Sequence, residues 1–284
     1  MKLDVNKLIK VAKSYPVKFY DSLSLYLVIL DGKIGALYSY SGEGIIQGLI
    51  EYQHELELFY VDSGRLPNKN YSVFGKEGKL VITGANKIIF FPKAKLFAKH
   101  YHHSDTRYIF FDLNGVEQFK SPLGVIHSSD TPKVENGKHH IFSFMHSFSN
   151  NVQLFNGKGK IIYVLAKDFY DRDLVQTNER ISTLWSKEKD ERVEHPFIQI
   201  SPVQKIGQTK RAEIINIEGK LVRNNVCEWK IFPEQGAFIL QDADDKFWET
   251  FSLTTGMRIS DKKYVSIEVQ NNELVGASYE PIHS

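Results

Sequence analysis

The sequence predicts an all-β fold assembled from one hairpin unit used repeatedly, and three observations carry that prediction. After Pro16, short apolar runs separated by Gly, Asn, Asp and Pro continue almost to the C-terminus, which is the pattern of strands and turns. An apolar residue recurs four positions before a turn glycine, in Phe74 to Gly78, Phe111 to Gly115, Phe155 to Gly159 and Ile215 to Gly219, with looser copies at Val28 to Gly32 and Ser252 to Gly256. Aromatic residues make up 13% of the chain, led by 19 Phe and 14 Tyr, a bias toward the pleated surface of a sheet.

The elements follow in order. Leu3, Leu8, Ile9 and Ala12 fall on one side of a helical wheel, so Lys2 to Lys13 is expected to form a short amphipathic helix within an N-terminal segment 1–16, ended by Pro16. Leu23 to Leu30 is apolar but far shorter than the ~20 residues of a membrane-spanning helix, and reads as a buried strand. Gly42-Glu-Gly44 reads as a flexible loop. The repeated turn has a direct physical reason. A short hairpin loop closes through a residue of positive φ, which Gly adopts without a Cβ clash, and an Asp or Asn at its start caps the turn amides. The apolar residue before the turn then points inward.

Spacing between the turn glycines, 32 to 78, 115, 159, 219 and 256, is 46, 37, 44, 60 and 37 residues. Most intervals lie near the ~40–50 residues of a four-stranded propeller blade. The long one contains a polar stretch, 168–192, expected to be an exposed insertion or outer hairpin, with a short helix through Leu174, Asn178, Ile181 and Trp185 as the alternative.

Tyr71-Ser-Val-Phe-Gly-Lys-Glu-Gly78-Lys-Leu-Val-Ile-Thr83 and Ala212-Glu-Ile-Ile-Asn-Ile-Glu-Gly219-Lys-Leu-Val222 resemble units of the tryptophan-glycine repeat family, although no Trp-Gly dipeptide occurs. Phe110-Phe-Asp-Leu-Asn-Gly115 is similar to the inner hairpin of β-propellers. Both resemblances imply repeated β structure. The expected architecture is a β-propeller-like domain over 17–284, with six blades, because short sheets around an axis leave few open edges. An elongated β-repeat array is the alternative, followed by two β-sandwich domains.

A formal charge of +2, from 36 Lys and Arg against 34 Asp and Glu, is too small to gather nucleic acid by a long-range field. Cys227 is the only cysteine, which rules out an intrachain disulfide and any Cys-rich zinc site and suits a reducing, cytoplasmic compartment. The first 13 residues hold no continuous apolar run, so no secretory signal is expected. Neither a nucleic-acid nor a membrane partner is expected, nor a cofactor.

Seven of the ten histidines, His100, His102, His103, His127, His139, His140 and His146, crowd into fewer than 50 positions. His100 and His102 would share a strand face, so a metal would use that pair with His140 or His146. The surface or loop role outweighs the metal role, because no compact ligand spacing completes the set. Asp242, Ala243, Asp244 and Asp245 fail the calcium-loop template and suit turn capping. No Gly-x-Ser-x-Gly elbow or phosphate-binding glycine loop occurs, and Cys227 sits in strand-like sequence. Tyr101, Trp185, Trp229 and Trp248 are the aromatic candidates for binding. These features point to a non-enzymatic scaffold for another protein. The rivals are a propeller hydrolase or lyase using some of His102, His127, His140 and Asp112, and a carbohydrate-binding protein.

Overall fold

The computed structural model describes residues 3–13, 15–32, 34–64, 69–100, 107–122, 132–145, 152–165, 181–201 and 211–278. The chain forms two compact units, 1–126 with 157–159, and 127–156 with 160–284. Each is built of antiparallel β-sheets, the first with one short helix, as the all-β sequence predicts.

In the first unit, the helix α1 (Val5–Ala12) is shorter than the expected Lys2 to Lys13 because Asp4 caps it, accepting from the Lys7 amide at 3.1 Å. Leu3, Leu8 and Val11 pack on buried Tyr26, Val28 and Tyr40, while Ile9, expected on the inner side, is 66% exposed. A seven-stranded sheet follows in simple chain order: β1 (Val17–Tyr20), β2 (Leu25–Asp31), β3 (Ile34–Ser39), β4 (Gly44–Gln53), β5 (Leu58–Asp62), β6 (Tyr71–Phe74) and β7 (Leu80–Ala85). Next comes a four-stranded sheet of β8 (Lys87–Phe91), β9 (Leu96–His100), β10 (Tyr108–Asp112) and β11 (Glu117–Lys120).

The second unit has a four-stranded sheet, β12 (Lys133–Asn136), β13 (Ile141–Met145), β14 (Val152–Phe155) and β15 (Ile161–Leu165). Its eight-stranded sheet runs β16 (Ile181–Glu188), β17 (Glu191–Ile200), β18 (Ala212–Asn216), β19 (Leu221–Phe232), β20 (Ala237–Asp242), β21 (Trp248–Ser252), β22 (Tyr264–Gln270) and β23 (Glu273–Ser278). Over 181–192 the polar stretch forms a hairpin, one of the two forms expected for it, and only the helix alternative fails there. Ile181 and Trp185 lie on a strand rather than a helix, and Lys189 and Asp190 turn a hairpin with positive φ. Residues 166–180 lie outside the described residues.

Both sheets of each unit resolve into the same up-and-down meander of four strands. β4, ten residues long, ends one meander and begins the next, and β19, twelve residues long, does the same. Along the chain the meanders are β1–β4, β4–β7, β8–β11, β12–β15, β16–β19 and β19–β21, the last continued by an isolated bridge between Phe251 and Arg258.

Two kinds of tight turn sit at one end of every meander. Between the third and fourth strands lies the glycine turn foreseen in the sequence. Its preceding apolar residues Phe74, Phe111, Phe155 and Ile215 are all buried, and Asp112, Asn156 and Asn216 accept turn amides through their side chains. Gly42, read above as loop, closes the first of these turns, its amide donating to the Ser39 carbonyl at 2.9 Å. Gly32 instead lies in the β2–β3 connection at the other end of the sheet, so it is not a copy of the turn.

Between the first and second strands lies a turn that the sequence did not announce. Its closing residue is left-handed Ser24, Glu57, Lys95, His140 or Gly236, and its amide donates three residues back in each case. Leu25-Tyr26, Leu58-Phe59, Leu96-Phe97, Ile141-Phe142 and Ala237-Phe238 follow directly, and all five rings are 0% exposed. In five of the six meanders one ring thus anchors the second strand, and β16–β17 turns instead at Lys189 and Asp190.

Apolar clusters fill the space between consecutive meanders. Leu37, Ile50, Phe59 and Phe74 lie between the first and second, and Leu58, Val73, Phe97 and Phe111 between the second and third. In the second unit, Ile141, Leu154, Ile198 and Ile215 do the same, then Phe197, Ile214, Phe238 and Phe251. At Gly115 and Gly219 the glycine turn touches the backbone of the preceding meander, whereas at Gly42, Gly78 and Gly256 the nearest atoms are side chains of Lys7, Ile45 and Phe197. A Cβ on Gly115 would lie 2.6 Å from the Val81 carbonyl oxygen, and one on Gly219 would lie 2.2 Å from that of Ile162. The C-terminal hairpin β22–β23 covers Ile239 and Trp248 with Tyr264, Ile267 and Leu274.

Candidate functional site

The densest buried polar cluster among the described residues lies in the second unit, where the β12–β13 turn meets β16 and β17. Asn136, fully buried, donates through Nδ2 to the His195 carbonyl at 2.9 Å and accepts the His139 amide at 3.1 Å. Lys138 donates its amide to Glu194 Oε2 at 3.4 Å. On the next two strands, Ser186 Oγ lies 2.7 Å from His195 Nε2 and 2.9 Å from Glu188 Oε1. A bulge between Thr183 and Trp185 in the β16–β17 pairing sets this arrangement.

The proton inventory determines what this group can do. Glu188 accepts only, so the single hydroxyl proton of Ser186 goes to it, and His195 Nε2 must donate to Ser186. With both bonds made, His195 donates to the serine, and among the described residues no hydrogen bond from its other nitrogen to a carboxylate is present. Burial holds the His195 pKa below the ordinary value, against the pull of Glu188. Burial also lowers that of His139, helped by Lys138 and opposed by a hydrogen bond to the Glu194 backbone, and its buried Nε2 has no hydrogen-bond partner. Both rings are neutral at pH 7, and the cluster ties one meander to the next.

A second polar group joins β19, β20 and β21. Arg223 bridges Asp242 Oδ2 at 2.8 Å and Glu249 Oε2 at 3.1 Å, and Arg258 reaches Glu249 Oε1 at 3.2 Å. The Glu249 side chain is 6% exposed, so both guanidiniums compensate a desolvated carboxylate. Asn225 donates to Asp242 and Asp244, and Arg211 pairs with Asp244 at 2.7 Å. Asp242 also caps its own turn through the Asp244 amide.

The aromatic candidates do not converge. Trp185 is 39% exposed, with the Arg192 guanidinium 5.0 Å from its ring centre. Trp229 is half-buried and donates to Gln199 Oε1 at 2.8 Å. Trp248, expected as a binding aromatic, is instead buried beneath the C-terminal hairpin. A one-residue bulge at Val265 brings Tyr264 and Ile267 to the same face over it. Tyr101 lies outside the described residues.

Of the metal candidates, His100 is buried at the end of β9 with its ring 4.9 Å from that of Tyr108, and His140 closes a left-handed turn. His102 and His146 lie outside the described residues, as do His103 and His127. Among the described residues no three His, Cys, Asp or Glu side chains gather as a metal site. Asp112 caps its own turn, accepting the Asn114 and Val116 amides at 2.9 Å. Cys227 Sγ donates to Gln241 Oε1 at 3.3 Å. Sequence reasoning missed Ser186, Glu188, His139 and His195 as a group. The only available signal was Ser186 and Glu188 sharing a strand face, inside a stretch read as insertion.

No protein-family model matches the chain, and no curated protein does. Solved structures that overlie it include a eukaryotic initiation factor, at 9% identity over 90% of this chain and 79% of that one, TM-score 0.35. Another is the C-terminal WD40 domain of Sif2, at 6% identity over 93% of this chain and 78% of that one, TM-score 0.30. Similarity at these levels transfers no residue role.

Proposed function

We propose that the chain is a non-enzymatic binding scaffold, a six-bladed propeller that presents loops to another protein in the cytoplasm. The observation supporting this is the distribution of connections within each meander. First-to-second and third-to-fourth strands are joined by tight turns at one end. The second-to-third connections, at the opposite end, include the longer spans 63–70, 101–107, 146–151 and 201–211, of which 65–68, 101–106, 146–151 and 202–210 lie outside the described residues. Variable loops on a rigid β support are where recognition surfaces concentrate.

Two measurements test the two parts of the reading. Closure of the meanders around an axis predicts a radius of gyration of about 19 Å by small-angle scattering, the value for a compact chain of this length. An elongated array would give a clearly larger one. For the binding role, residues 202–210 are replaced by a Gly-Ser segment of equal length, and the proteins crosslinked to intact and altered chains in the native cell are compared. Loss of a reproducible partner at unchanged melting temperature is the expected result, and identical recovery by both chains rejects the loop-presenting role. Stoichiometric metal in the purified protein would instead favour a propeller hydrolase.

A further inference from the structure

The formal charge of +2 conceals a local asymmetry. The first twenty residues carry Lys2, Lys7, Lys10, Lys13 and Lys18 against Asp4 alone, net +4, so the other 264 residues carry net −2. The structure places four of these lysines, Lys7, Lys10, Lys13 and Lys18, on the exposed surface. Apolar side chains are exposed in the same short segment: Val5 at 55%, Ile9 at 66%, Tyr15 at 45% and Phe19 at 43%.

These exposures are not an unfinished core. The inward side of α1 is already used by Leu8, Val11 and Ala12, and the helix is fastened by the Asp4 amide to the Tyr40 carbonyl at 2.7 Å and by Lys7 Nζ to the Ser41 carbonyl at 2.9 Å. At 100° per residue, Asn6 and Lys10 lie opposite Leu8, Val11 and Ala12, Ile9 lies toward the first pair, Val5 is exposed at the edge beside Ala12, and Lys13 is the C-cap. The exposed face is thus two aliphatic side chains set among lysines on a convex rod.

We propose that this face, with the adjoining Tyr15 to Phe19 segment, docks the protein on an anionic lipid surface. Lysine is depleted in protein interfaces, and a convex rod supplies no pocket for a partner's anchor residue. Lysines flanking a shallow apolar strip suit a bilayer interface, where the aliphatic tips enter the headgroup boundary and the ammonium groups stay among lipid phosphates and carboxylates. No described helix is long and apolar enough to cross a membrane, and the attachment proposed is a peripheral one. This revises the expectation of no membrane partner, which rested on the lack of an apolar run long enough to span a bilayer. It is independent of the loop-presenting role at the long connections.

The test is sedimentation of the full chain with vesicles of phosphatidylcholine, alone or mixed with phosphatidylserine. Binding is expected only to the mixed vesicles, and should weaken in high salt. Lys10→Glu with Lys13→Glu is expected to lower it at least ~10-fold, since each lysine near such a surface contributes about 1 kcal/mol. Val5→Ser with Ile9→Ser is expected to lower it at unchanged charge. All four side chains are exposed, so melting temperatures should match the parent and exclude a folding defect. No binding to the mixed vesicles, equal binding by the lysine variant, or recognition of this face by an acidic protein without vesicle binding would overturn the proposal.

Discussion

The two tight turns at the same end of each meander solve one backbone problem with different residues. Both need positive φ, yet the turn between third and fourth strands closes on glycine every time, whereas the turn between first and second accepts Ser24, Glu57, Lys95 and His140 as well as Gly236. Surroundings explain the difference. A Cβ on Gly219 would strike the Ile162 backbone at 2.2 Å, while one on Gly236 would meet nothing within 4 Å. Conformation alone makes a left-handed residue cost about 1–2 kcal/mol, which a protein tolerates, and a backbone clash makes glycine obligatory. At Gly115 and Gly219 the glycine turn is therefore also a contact between sheets.

The largest effect should come from breaking that contact. Gly219→Ala combines the left-handed penalty with overpacking of about 1–3 kcal/mol, so a loss of about 3 kcal/mol or more is expected in urea unfolding of the whole chain. Gly236→Ala carries only the first term, and should lose about 1 kcal/mol. Equal losses at the two positions would show that φ, and not the neighbouring carbonyl, selects the glycine.

The fourth meander sharpens the comparison, because its first turn breaks the open-turn pattern. That turn reaches the next sheet through Asn136, Lys138 and His139 instead of through a glycine. Asn136→Ala would leave the buried His195 carbonyl and the His139 amide without their partner, for an expected loss of about 2 kcal/mol. Acid should loosen the same place. Burial, the largest cause for both rings, holds the folded-state pKa of His139 and His195 below the unfolded value, so the unfolded chain binds more protons as pH falls past about 6.5. Stability is then complete above that pH, declines through the window below it, and levels off under the folded pKa values. Lys138 adds to the effect, Glu188 opposes it at His195, and Glu194 opposes it at His139. Unfolding curves at pH 7.5 and 5.5 should diverge less in His139→Gln, and an unchanged gap would assign the pH dependence elsewhere.

How much was legible in the sequence follows from the same physics. The glycine turns could be read because one residue type alone fits them, and the apolar partner four places earlier fixed which side faced inward. Gly32 misled because a hairpin glycine at the other end of a sheet looks the same until strands are paired. The left-handed turns were hidden because any polar residue serves. Their signature lies in the aliphatic-aromatic pair that follows, as in Leu58-Phe59 and Leu96-Phe97. Trp248 is covered through a one-residue bulge at Val265, and the His195 group sits where one residue of β16, Leu184, faces three of β17, His195 to Phe197, register shifts that the sequence does not mark. Strand periodicity has no means of anticipating them.

The smallest predicted effect tests whether the open turns are merely tolerated. Glu57 is exposed and left-handed at φ 52, in the position that Gly236 occupies in another meander. Glu57→Gly removes a conformational cost of about 1–2 kcal/mol and adds roughly 0.5–1 kcal/mol of chain entropy lost on folding. A net stabilisation of about 0.5 kcal/mol is expected, visible as a raised urea midpoint at constant m-value. A loss would mean that the Glu57 side chain supplies an interaction outweighing its strained backbone, making this turn a second kind of contact and not an open one.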